Sequence, residues 1–410
     1  MNDATTTTAP APTRFGAFIA PYHDVAGNPT LQLRRDLDLA VLLDELGFDE
    51  AWFGEHHSGG FEMIASPELM IAAAGERTTR IRLGTGVNSL TYHHPFVLAD
   101  RIVQLDHLTR GRVMLGMGPG QLPSDAFMMG IDPRRQRDMM VEAAEVIARL
   151  LRGETVSAAS DWFTLDDARL QMRPFNPDGI ELAVASTSSP SGAVLAGRLG
   201  FSMLSLSATD PSGFDALDVN WGHFTRTAEE NGHPVDRSRW RVVATMHLAE
   251  TREQAVREVE HGVLTLNSYM ERMGGGRRLP WTGSVDEAIT HWTTNGYPNF
   301  GVATIGTPDD AVATIRRLSE KTGGFGTFLL LAHDCATWEA TWRSYELFAE
   351  YVIPECRGMN VAREGSLDWV GQNSERFFGA MQQATREAIE RYSRPETGAT
   401  ADEPSGGGAR

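Results

Sequence analysis

Residues 81–120 read IRLGTGVNSLTYHHPFVLADRIVQLDHLTRGRVMLGMGPG. The run IRLGTGVNSL is apolar and of strand length. PFVLADRIVQLDHLT opens on Pro95, where a missing N–H costs a helix nothing, and closes near Gly111. RVMLGMGPG is a second apolar run. A strand, a helix and a strand in forty residues, with both strands apolar throughout, imply parallel strands covered on both faces.

The same alternation extends in both directions. Upstream lie RFGAFIA (14–20) and EAWFG (50–54); downstream lie ELAVAS (181–186), FSMLSLS (201–207), RVVATMHL (241–248) and GFGTFLLLA (324–332). Helical patterns stand between them. One is a stretch in which Leu33, Leu37, Ala40 and Val41 recur before Gly47; another is residues 135–151, with Met139, Ala143, Val146 and Leu150 on one face. Eight strands, each followed by a helix, predict a closed (β/α)8 TIM barrel with insertions and a C-terminal helical extension. An open doubly wound sheet would carry G-x-G-x-x-G after its first strand, and PYHDVAG (21–27) stands there instead.

The surplus length divides the chain further. Residues 1–13 are expected to be a disordered leader and 14–356 the barrel. Residues 157–177 should form a small hairpin, and 253–303 a cap over the barrel. Residues 357–392 read as a helical extension whose stripe of Phe377, Met381, Ala384, Ala388 and Tyr392 should pack on the body or a partner. Residues 393–410 are expected to be a disordered tail.

Composition excludes several classes. The 410 residues carry a net charge of −17, which gives no electrostatic case for binding nucleic acid. Two cysteines, Cys335 and Cys356, make no disulfide framework and fit a reducing cytoplasm. The leader lacks the basic start and apolar run of a secretory signal, and no stretch approaches a membrane span.

Barrel chemistry sits at the C-terminal ends of the strands. Strand 2 ends in Glu55-His56-His57, strand 3 in Asn88-Ser89, strand 4 in GMGPGQ, strand 5 in STSSPS and strand 8 in His333-Asp334. Neighbouring strand residues point to opposite faces, so His56 and His57 would not share a metal ion, and no H-E-x-x-H or C-x-x-C is present. No metal is expected. One histidine facing the mouth suits general acid–base work, the other a structural role. STSSPS either caps its helix or offers N–H groups and hydroxyls to a phosphate, and the phosphate reading is preferred. GMGPGQ lets a flat ring approach the backbone. His94 either lines the mouth or merely precedes a helix.

FDEAWFGEHHSGG, the 81–120 stretch and GTPDDAVATIRRL together resemble the bacterial-luciferase-like flavin-dependent oxidoreductases. EHHSGG and YHHPF are similar to the branch that includes the limonene 1,2-monooxygenases. The likeness spans about residues 14–355. It implies a barrel, commonly a homodimer. It also implies reduced flavin delivered by a separate NAD(P)H-dependent flavin reductase, and O2 as co-substrate. By position His56 matches the site histidine, and Gly86-Val87 the site of a non-proline cis peptide under the flavin ring. Asn88 and Gly118 would flank that ring, and Ser186, Thr187 and Ser188 would form the phosphate loop. Where luciferases proper place a phosphate-binding arginine this chain has Pro119, which leaves FMN, the first expectation, open against FAD. Phe18, Phe53, Phe61 and Met63, with His94, suggest a small hydrophobic substrate of terpenoid kind. The alternatives are a deazaflavin-dependent reductase or dehydrogenase on the same barrel, and a flavin-binding protein without turnover.

Overall fold

The computed structural model describes residues 10–206, 208–273, 283–297 and 300–393. Most of the leader, the GGGRRLP segment and the tail from 394 onward lie outside the described residues. The apolar runs become strands β1 (Arg14–Ile19), β2 (Glu50–Phe53), β3 (Arg82–Ser89), β4 (Val113–Gly118), β5 (Glu181–Ser186), β6 (Ser202–Ser205), β7 (Trp240–Leu248) and β8 (Thr327–Leu331). Each pairs in parallel with the next, and β8 pairs with β1, so the sheet closes into a barrel. A short strand, Thr304–Gly306, extends the sheet beside the end of β7.

Around it run α1 (Pro29–Glu45), α2 (Pro67–Gly75), α3 (Pro95–Leu108), α4 (Gln136–Leu151), α5 (Ser191–Leu199), α6 (Pro211–Glu230), α7 (Pro308–Thr322) and α8 (Trp338–Leu347). α1, α2, α3, α6 and α7 each begin on proline, whose fixed φ suits the first helical turn. Gly47, at φ 88°, ends α1 in the left-handed conformation that side chains resist.

Strand alternation sorts the core. Ala17, Ala51 and Phe53 face outward beneath the helices, whereas Phe18, Trp52, Met114, Leu204 and Leu329 fill the interior. Phe53 is therefore not a mouth residue: it lies one position from Trp52 and on the opposite face. The N-terminal end of the barrel is closed by charge. Arg241, fully buried, donates to both oxygens of Glu50 at 2.7 and 2.8 Å and to Glu181 at 2.8 Å. Its guanidinium lies 5.0 Å from the Trp52 ring centroid. Together these bonds satisfy charges that would otherwise be costly to bury.

Residues beyond β7 build a second, smaller core. Helices Arg252–Val259, Val263–Met273 and Val285–Thr294 enclose Leu266, Tyr269, Trp292, Tyr297 and Phe300, together with Tyr22 and Phe61 from the loops after β1 and β2. Residues from Gly358 onward form a compact unit of their own. There Trp369 packs against Phe377 at 5.1 Å, and Met381 and Tyr392 are exposed. Val156–Ala159 and Thr164–Ala168 pair as an antiparallel hairpin.

Candidate active site

A cavity of about 720 Å³ opens at the C-terminal end of the barrel. Its floor is β3 and β4: Gly86, Val87 and Gly118 lie at its base. The Gly86–Val87 peptide is cis. It sits where the β3–β4 register shifts between Thr85 and Asn88. Thr85 spans the irregularity, since its hydroxyl donates to Gly116 O at 2.8 Å and accepts from Gly116 N at 2.9 Å. A Cβ on Gly118 would come within 2.6 Å of Val87, and one on Gly86 within 2.9 Å of Phe18. These glycines keep the floor flat. Asn88 is fully buried but lies outside the cavity wall, with both amide atoms unpaired among the described residues.

One side wall follows β2. Gly59 and Gly60, at φ 85° and 74°, turn the chain back, and His56 N donates to Ile64 O at 2.9 Å. The turn returns Glu62 to His56, with His56 Nε2 2.7 Å from Glu62 Oε2. His56 Nδ1 is 3.5 Å from Asp125 Oδ2, on the short helix Pro123–Met128. Burial alone would strip the imidazole of its proton. The charge of Glu62, aided by Asp125, overrides that and pushes the pKa up to about 10. His56 is thus a cation at neutral pH, not the near-neutral base that an ordinary histidine would supply.

Glu55, its sequence neighbour, does not serve His56. It accepts from His57 at 3.2 Å, from His93 at 2.6 Å and from the Ser89 amide. Those bonds outweigh burial and hold it below the usual carboxylate range, so it ties the strand-2 loop to the end of β3 as an anion. His57, held by Glu55, does not line the cavity.

The opposite wall follows β5. Thr187, Ser189, Ser191 and Gly192 line the cavity where α5 begins. A Cβ on Gly192 would lie 2.1 Å from Ala185 O, so α5 starts flush against β5. Ser186 is buried behind the loop and accepts from Asn220 of α6, which also donates to Thr187 O at 2.7 Å. Ser188 is exposed and does not line the cavity. Arg137, on the first turn of α4, lines the same cavity with no ion-pair partner among the described residues. Its neighbour Gln136 donates to Pro119 O at 2.9 Å and so ties α4 to the strand-4 loop.

The remaining wall is apolar: Phe18, Leu206, Val243 and Leu331 from the barrel, and Tyr269, Met270, Met273 and Phe300 from the cap. Of the residues expected to meet substrate, only Phe18 is on this surface. Phe61 is buried in the cap core, its ring 5.1 Å from Tyr269. His94 is exposed at the start of α3, against Phe163 of the hairpin at 6.3 Å. Sequence reading missed Glu62, Asp125, Arg137 and Tyr269. The Gly59-Gly60 turn signalled a chain reversal that could have pointed to Glu62; the others come from distant elements with no local pattern.

The barrel, the mouth cavity and the Glu-His-His corner define a class that comparison with known proteins makes specific. Residues 13–324 match the family model described as luciferase-like monooxygenase. The chain is 49% identical to limonene 1,2-monooxygenase of Rhodococcus erythropolis over 344 residues, covering 84% of this chain and 87% of that protein. It is 44% identical to 4-hydroxyprotoasukamycin monooxygenase of Streptomyces nodosus subsp. asukaensis, covering 88% and 96%. Among solved structures, the oxygenating constituent of 3,6-diketocamphane monooxygenase from Pseudomonas putida, in complex with FMN, superposes with a TM-score of 0.68 at 26% identity, over 84% and 98% of the two chains. The chain belongs to the luciferase-like monooxygenase family and is an oxidoreductase of that kind. Among the described residues no helix is long and apolar enough to cross a membrane.

Proposed function

We propose that this protein is the oxygenating component of a two-component system, taking reduced FMN from a separate NAD(P)H-dependent reductase and inserting oxygen from O2 into a small hydrophobic substrate. The observation that carries the reading is the mixed lining of the cavity: the hydroxyl residues Thr187, Ser189 and Ser191 with Arg137, and the apolar side chains of Phe18, Leu206, Val243 and Leu331. The flat glycine floor fits an isoalloxazine ring. Thr187, Ser189, Ser191 and the amides opening α5 would hold the phosphate, with Arg137 supplying the cation that Pro119 does not. A single phosphate monoester suits that set, which favours FMN over FAD.

Reduced flavin supplies the electrons that activate oxygen. The chain supplies the rest. Phe18, Leu206, Val243 and the cap methionines exclude water and hold an apolar substrate, and cyclic terpenoids are the substrate class favoured. His56 keeps a proton at the wall at neutral pH. Cytoplasmic location and a homodimer accompany the reading.

The test is anaerobic titration with reduced FMN, FAD and deazaflavin, followed by oxygen uptake with a panel of cyclic alkenes and ketones. Tight FMN binding and substrate-dependent oxygen uptake are expected. Hydride transfer without oxygen uptake would replace this reading with the deazaflavin one, and binding without any turnover would leave a flavin-binding protein.

A further inference from the structure

His56 faces acid on both ring nitrogens, Glu62 at 2.7 Å and Asp125 at 3.5 Å. The two acids are not equivalent. Asp125 is committed elsewhere, accepting from the Ser58 hydroxyl and from the His57 amide at 3.2 Å. Among the described residues, Glu62 has His56 and the hydroxyl of Tyr269, on cap helix Val263–Met273, as its polar neighbours. Glu62, His56 and Tyr269 all line the cavity, so the pair borders the space where chemistry would occur. Among the described residues no other cation touches it. The facing groups are Tyr269 from the cap, Asp125 from the helix after β4, and His57, which Glu55 holds. Tyr92 stands edge-on to His57 at 5.6 Å.

An imidazolium and a carboxylate in contact titrate as a pair, so the loss of the proton belongs to both groups rather than to either one. Without the carboxylate, burial would drive the proton off the ring.

We propose that Glu62 is the positioning residue for the reaction's proton: it holds His56 in the protonated form and in place at the cavity wall, so that the two act as one acid–base unit. The activity readout rests on the function proposed above; the titration readout does not.

The experiment compares the parent, Glu62→Gln, His56→Gln and the double variant. Protein with ¹⁵N-labelled histidine reports the protonation of His56 directly, the His56→Gln spectrum supplying the assignment. In the parent the His56 ring should stay protonated through pH 8.5, and in Glu62→Gln it should lose its proton at least one pH unit lower. Product formed per oxygen consumed should follow. Glu62→Gln should fall at least tenfold below the parent at pH 8.5 yet lie within about twofold of it at pH 6. The double variant should be no worse than His56→Gln alone, because members of one unit do not add. Should Glu62→Gln fail to fold, Glu62→Asp withdraws the charge by one methylene and should move both profiles in the same direction by less. A parent His56 that titrates near 6.5 would overturn the proposal. So would a Glu62→Gln loss equal at pH 6 and 8.5, or single losses that add in the double variant. If no flavin is bound or turned over at all, the function reading fails, while the His56 titration still decides the role of Glu62.

Discussion

Replacing Arg241 with methionine removes the cation that closes the barrel's N-terminal end and keeps most of its length. Three hydrogen bonds of 2.7–2.8 Å are lost, two to Glu50 and one to Glu181. Glu50 is fully buried, so its charge cannot return to water. Partial compensation remains: Trp52 Nε1 donates to Glu50 at 2.9 Å, while Arg82 and Ser202 each reach Glu181 at 2.7 Å. Removing one partner of a buried ion pair costs ~3–5 kcal/mol, and the retained contacts place this variant near ~3 kcal/mol. The pH dependence has a definite sign. In the parent, burial raises both carboxyls but Arg241 holds both below their usual range, so their contribution is present above the unfolded value and is lost as pH falls through the folded one. In the variant burial acts with less opposition, the carboxyls take up protons sooner, and the penalty shrinks toward pH 5. Urea unfolding followed by far-UV circular dichroism at pH 7.5 and pH 5 measures both. A loss under ~1 kcal/mol at pH 7.5, or a penalty that grows on acidification, would refute the account.

Three further outcomes are expected. His56→Ala should lower product formation by ~10²–10⁴-fold, the worth of a positioned acid or base, with FMN affinity near the parent's and more oxygen leaving as hydrogen peroxide. Arg137→Ala should weaken FMN binding by ~1.5–3 kcal/mol, the value of a charge-assisted bond, while riboflavin, which has no phosphate, binds both proteins alike; equal loss for the two ligands would place the phosphate elsewhere. Phe53→Ala should cost ~3–5 kcal/mol of unfolding free energy and leave the substrate range unchanged, because the ring packs beneath the helices.

The barrel was legible because its signal is local and repeated. All eight apolar runs are strands, and Pro95 opens α3 where its sequence predicts a helix start. Side-chain direction was less legible. Phe53 and Trp52 are adjacent and both apolar, and only the register of β2 against β1 and β3 decides which one enters the barrel. α1 shows the same limit. The stripe of Leu33, Leu37 and Val41 suggested one buried face, yet Asp36 is buried because His23 bonds it at 3.1 Å, with Asp334 at 3.0 Å on the other ring nitrogen. A carboxylate reads as a surface residue until its partner, thirteen residues upstream, is known to turn toward it. The site divides similarly. His56, Gly86, Val87, Gly118 and Thr187 stand at strand ends where the fold alone places chemistry. Arg137 and Tyr269 arrive from a helix and from an insertion, and long-range packing leaves no period in the sequence.

The ionic closure around Arg241 also governs traffic. With Glu50, Trp52 and Arg241 filling the far end of the barrel, no passage along the barrel axis is open among the described residues, and a molecule would reach the cavity from its C-terminal side. A dead-end vessel works as a stack: what lies against the floor enters first and leaves last. A ring lying on Gly86 and Gly118 would be covered by whatever follows it, and the covering molecule must depart before the ring can be exchanged.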